Sequence, residues 1–144
     1  MPSSRWTKVA VGVALVLSVP SACVIRSCAV PQRTTQGEVG LLFAQALVAG
    51  DFKRAHRLLE PGLGTQYTPA KLEIEYRDMI SYGGGAAKEV RVMTALDYWP
   101  AKQLGDVGWA YVAISGDSFS EAVTVTVAEF GGRMLIRELE WGRP

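Results

Sequence analysis

The sequence predicts an α+β domain in which three N-terminal helices pack on one face of a curved four-stranded antiparallel sheet, preceded by a membrane or signal segment. Three observations predict it. Apolar residues recur with a helical period as far as residue 82. A triple glycine at 83–85 then breaks the chain. From residue 87 onward the apolar period is two, that of half-buried strands. A run of helices followed by a run of strands folds into separate layers. The 144 residues correspond to one domain, and an apolar fraction of 49% is enough to fill a core.

The leader, residues 1–30, comes first. Arg5 and Lys8 precede 17 uncharged residues, 9–25. A secretory signal has a basic start, an apolar stretch of roughly 7–15 residues and small residues at its exit. A spanning helix needs about 20 residues, with roughly 17 as the lower limit. The run lies between the two, and Pro20 with "SAC" after it resembles a signal's exit. "PSAC" also resembles a bacterial lipobox, which would make Cys23 a lipidation site. Pro20, however, stands where that pattern wants an aliphatic residue, and Cys28 has Arg26 close before it. An uncleaved anchor through residues 9–25, a lipoprotein and a secreted protein therefore all stand as readings of the leader. Two cysteines with no nearby histidine make no zinc site. All 14 acidic residues follow residue 33, so residues 1–33 carry +4 and the remaining 111 carry 11 − 14 = −3. A mildly acidic folded part argues against nucleic acid as a partner.

Residues 31–35 form a polar linker, and the folded domain is placed at 36–144. Thr35 and Glu38 have the spacing of a capping box. Val39, Leu42, Phe43, Ala46 and Leu47 make the apolar face of a first helix that ends at Gly50. Asp51 caps a second helix with Phe52, Ala55, Leu58 and Leu59 on its buried side, and "EPG" stops it. His56, the only histidine, falls on the flank of that face. Thr68 and Pro69 start a third helix in which Leu72, Tyr76, Met79 and Ile80 share a face. The strands are "KEVRVMTALDYW", "VGWAYVAIS", "EAVTVTVAEF" and "RMLIRELEW". A loop, "PAKQLGD", separates the first two, and the Gly131-Gly132 hairpin joins the last two.

In this order, "ALVAGDFKRAHRLL", "TPAKLEIEYRDMISYGGG" and the closing strands through "GGRMLIRELEW" resemble the NTF2-like superfamily of cone-shaped domains, in particular small bacterial envelope members. The likeness covers about residues 36–141 and rests on structural motifs of low specificity. It implies a fold and no single function, because such folds host isomerases, dehydratases, hydrolases, transport factors and non-catalytic accessory domains.

Members resembling ketosteroid isomerase keep a carboxylate base inside the cone with neutral acids as the oxyanion hole. On this chain the resemblance offers Asp97 as base and Tyr76, Tyr98 or Tyr111 as donors. Strand alternation opposes it, because Asp97 and Tyr98 face opposite sides and Tyr98 falls in with Val90, Val92 and Leu96. Glu121, Glu129, Glu138 and Glu140 lie on strands with no pair singled out by spacing. No catalytic residue, metal site or cofactor is assigned, and "GGG" lacks the lysine of a phosphate loop. The aromatic residues offer a binding site instead. A cone lined by Tyr76, Tyr98, Trp109 and Tyr111 suits an apolar small ligand or a peptide. The same residues also serve as core, and the expectation is a narrow, largely filled cone with any site at its mouth.

The sequence thus predicts a non-catalytic, envelope-anchored NTF2-like binding or accessory domain outside the cytoplasm. Its expected partners are the membrane, an envelope protein or a second copy, and an apolar ligand. A cone-pocket enzyme of isomerase or dehydratase type is the alternative.

Overall fold

The computed structural model describes residues 31–143. The leader, with the segment 9–25 and Cys23, lies outside the described residues. Among the described residues no helix is long and apolar enough to cross a membrane. The chain folds as α+β. A 3₁₀ turn, Pro31–Arg33, leads into α1 (Thr35–Val48), α2 (Phe52–His56), α3 (Pro61–Gln66) and α4 (Pro69–Ile80). One antiparallel sheet follows, β1 (Glu89–Leu96), β2 (Asp106–Ser115), β3 (Ser120–Phe130) and β4 (Arg133–Trp141), in the order β1-β2-β3-β4.

The helix ends follow local chemistry, with two corrections to the sequence reading. Thr34, one residue before the expected Thr35, caps α1. Its hydroxyl accepts from Gly37 N at 3.1 Å and donates to Pro31 O at 2.8 Å. The 3₁₀ turn carries Thr34 there, and it brings Pro31 O so close that a β-carbon at residue 37 would overlap it. The second correction concerns "EPG", which opens an additional helix and does not stop the second: α2 ends at His56, before Leu58 and Leu59 of the expected helical face, and Leu59 instead bridges to Ile136. Glu60 caps α3 through Leu63 N and Gly62 N, and Pro61 takes the first turn, where a missing N–H costs nothing. At the end of α1, Gly50 has φ +70°. Gly50 N bonds Leu47 O and Asp51 N bonds Ala46 O, the Schellman pairing.

The core lies between the helices and one sheet face. Phe43, Leu47 and Leu72 meet Val112, Ile114, Val123, Val125 and Val127, all fully buried. Gly40 lets α1 lie close, since a β-carbon there would sit 3.1 Å from methyls of Val112 and Val125. Beyond β4, Leu58 O and Glu60 N pair with Ile136, which covers that edge of the sheet. At the last hairpin Gly131 and Gly132 both have positive φ, as a type I′ turn requires.

Three β-bulges decide which side chains face the helices. Met93 is the extra residue between β1 and β2, Val107 between β2 and β3, and Arg137 between β3 and β4. Each adds one residue to one strand and so reverses the alternation beyond it.

Candidate functional site

The four aromatic residues expected to line a cone are not brought together. Tyr76 is buried on the helix side, 6.3 Å from the ring of Phe52, and burial pushes its phenol above the ordinary value. Trp109 and Tyr111 lie on the other face of the sheet. The residues of β2 that meet the helices are Ala110, Val112 and Ile114, and strand alternation points Trp109 and Tyr111 away from them. The two rings stack at 6.4 Å with an 18° tilt. Tyr98 is 75% exposed beyond the end of β1. The bulge at Met93 is the reason, because it turns Ala95 toward the core and leaves Leu96 outside. Asp97, the candidate base, is exposed in the following loop, so Asp97 and the candidate donors Tyr76 and Tyr111 occupy separate places.

Among the described residues three concave sites remain: an open hollow of about 340 Å³ where Gly50–Lys53 meet Pro69, Ala70 and Glu73, and two that flank the sheet, one on each side. The helix-side cleft, of about 300 Å³, lies between α4 and the ends of β3 and β4. Glu75, Asp78, Met79, Tyr82, Glu121 and Trp141 line it. The Trp141 ring rests against Phe43 and Tyr67, and its Nε1–H is buried with no hydrogen-bond partner. Among the described residues no cluster of histidine, cysteine or acidic side chains is suited to a metal ion.

The second site is a more enclosed groove of about 140 Å³ on the face turned away from the helices. Its floor is β3, where Thr124 and Thr126 are buried. Trp109 lies opposite Thr126 on one side, with Tyr111 beside it opposite Thr124; Glu138 and Glu140 lie opposite the same two threonines on the other side. Trp99 and Ala101, from the loop after β1, close its end.

A buried ion pair holds that loop. Arg137 donates from Nε and Nη2 to the Asp106 carboxylate at 2.7 and 2.9 Å, and Gln103 N donates to the same group at 2.8 Å. The Asp106 side chain is fully buried and that of Arg137 is 27% exposed. Burial alone would push the Asp106 carboxyl up. The Arg137 and Gln103 hydrogen bonds, with the charges of Arg137 and Lys102, outweigh it and hold the group below its usual value. Both residues sit at bulges, and Arg137 also approaches Glu138 at 3.5 Å. Sequence reasoning missed the pair and the groove. The signals were the matched i, i+2 spacings of Trp109/Tyr111, Thr124/Thr126 and Glu138/Glu140, which share a face once the register is known.

No protein-family model, curated protein or solved structure matches this chain.

Proposed function

We propose that this chain is a non-catalytic, envelope-anchored binding or accessory domain of the NTF2-like kind, and that it holds its ligand or partner on the sheet face turned away from the helices. The order of helices before an antiparallel sheet supports the NTF2-like part of the reading. The basic, then apolar, leader supports the anchored part, with secretion or lipid attachment at Cys23 as its alternatives. One observation carries the binding part: Trp109 and Tyr111 stack, only half buried, beside a floor of buried threonines. Large rings left part-exposed on the layer's outer face, beside a concavity, mark contact surfaces.

A cone-pocket enzyme is the second reading. The carboxylates Glu75, Asp78 and Glu121 around the helix-side cleft, beside the unpartnered indole N–H of Trp141, favour it.

A small-fragment screen read by amide and indole N–H chemical shifts separates the two. The expected shifts cluster at Trp99, Trp109 and Thr124. Shifts confined to Glu75, Asp78, Glu121 and Trp141 would put the enzyme reading first. Trp109→Ala should abolish the outer-face shifts and cost less than the roughly 3–5 kcal/mol of a core tryptophan, because the ring keeps solvent contact. Thermal unfolding of the variant checks the second point.

A further inference from the structure

Glu138 and Glu140 leave β4 on the outer face, opposite Thr126 and Thr124. Glu138 is already engaged, accepting from the Thr126 hydroxyl at 3.4 Å and lying 3.5 Å from Arg137 Nη2. Among the described residues Glu140 makes no ion pair. Thr124 lines the groove at 6% exposure, and its hydroxyl makes no hydrogen bond among the described residues. Trp99 and Trp109 complete the lining. Carboxylates beside indole faces select a cation, since the ring's electron-rich face and the carboxylate attract the same charge. Lys102 Nζ lies 5.9 Å from the Trp99 ring centre, so this ring already draws a cation from its own chain, although Lys102 does not line the groove.

Size and chemistry narrow the cation. Clefts for drug-sized ligands run to roughly 300–1,000 Å³, so a groove of about 140 Å³ takes a single head group. A divalent metal is disfavoured by the absence, among the described residues, of a three-member ligand cluster. A quaternary ammonium stacks on indole but donates no hydrogen bond to Glu140 or Thr124. A primary ammonium donates but is strongly hydrated. A guanidinium is flat, weakly hydrated, stacks on tryptophan and forks onto a carboxylate.

We propose that the groove of Trp99, Trp109, Thr124, Glu138 and Glu140 binds a guanidinium group, that of an arginine. The proposal rests on the outer-face reading and names the ligand chemistry for that site. The Glu140 carboxylate accepts from the fork, Trp109 stacks on its plane, and the Asp106–Arg137 pair keeps the Trp99 loop in place.

Titration calorimetry on the full-length chain in non-ionic detergent tests it with N-acetylarginine methylamide, free arginine, the neutral citrulline analogue and tetramethylammonium. The expected result is saturation by an arginine probe in the millimolar range, with citrulline much weaker. Glu140→Gln and Trp109→Ala should each weaken arginine by roughly tenfold. Glu140→Gln, a conservative surface change, should keep the wild-type melting temperature. Tighter binding of the blocked probe indicates a side chain of a partner polypeptide, and tighter binding of free arginine a small-molecule source; either supports a guanidinium site. Equal binding of citrulline, no saturation by arginine, or unchanged affinity in Glu140→Gln overturns it. If tetramethylammonium saturates at the groove while arginine does not, the guanidinium assignment falls and outer-face binding survives. If no probe moves the Trp109 indole resonance, both fall.

Discussion

Asp51 and His56 sit five residues apart, and the backbone between them decides what each does. The Asp51 carboxylate accepts from Arg54 N at 2.9 Å, which caps α2, while the His56 Nε2–H donates to Gly64 O at 3.0 Å and ties α2 to α3. Neither is free to act on the other. Asp51→Ala should therefore cost about 0.5–2 kcal/mol in urea unfolding, and Asp51→Asn much less, because asparagine caps as well. His56→Ala should cost about 1 kcal/mol, the net worth of one hydrogen bond. Equal losses for Asp51→Asn and Asp51→Ala would show that the carboxylate's charge, and not its capping oxygen, matters there. The Asp51 cap was legible because an aspartate between a glycine and an apolar helical run has one common use. The partner of His56 was not, because Gly64 belongs to a helix that begins within "EPG", a stop signal when read from sequence.

Among the elements, the bulges separate what the sequence reveals from what it conceals. In β2 the i, i+2 sharing of a face by Trp109 and Tyr111 is legible but the face itself is not, since Ala110, Val112 and Ile114 meet the helices, and in β1 a single extra residue at Met93 moves Tyr98 out of the set that contains Val90 and Val92. Such an insertion leaves no compositional mark. The bulges at Val107 and Arg137 likewise bring Asp106 and Arg137, 31 residues apart, into a forked ion pair. That pair has a pH signature. Because the folded Asp106 carboxyl is held below its ordinary value, its stabilisation is present above the unfolded aspartate value, about 3.9, and is lost as pH falls through the lower folded value. Asp106→Asn should cost roughly 2–3 kcal/mol at neutral pH, less than the full penalty of a wholly buried pair because Arg137 reaches solvent. The gap between variant and wild type should narrow below about pH 4. Urea unfolding at neutral pH and at pH 3 measures it, and a gap that stays constant would mean that the carboxylate's charge contributes nothing.

At the scale of the whole molecule, the layer order was legible because period and composition are properties of long segments. The use of the sheet's two faces was not, because it depends on register between strands far apart in sequence. On the proposed reading, the face that carries the groove has to be reachable from the compartment of its partner, which the leader would set. Arg5 and Lys8 precede the apolar run, and positive charge flanking such a run stays in the cytoplasm. Residue 34 onward should then lie on the far side of the membrane. A phosphatase reporter fused after Pro144, active only when exported, should be active, and a cytoplasm-only reporter at the same place should be silent. The opposite pair of results would put the groove in the cytoplasm and end the envelope reading. Cys23→Ser separates the two modes of attachment. An uncleaved anchor tolerates it, since the 17-residue run keeps its apolar character, and the protein should remain in the membrane pellet after a high-salt wash. A lipid-attached protein loses its acyl chains with the thiol, so release of the Cys23→Ser chain from correct membrane attachment would identify a lipoprotein.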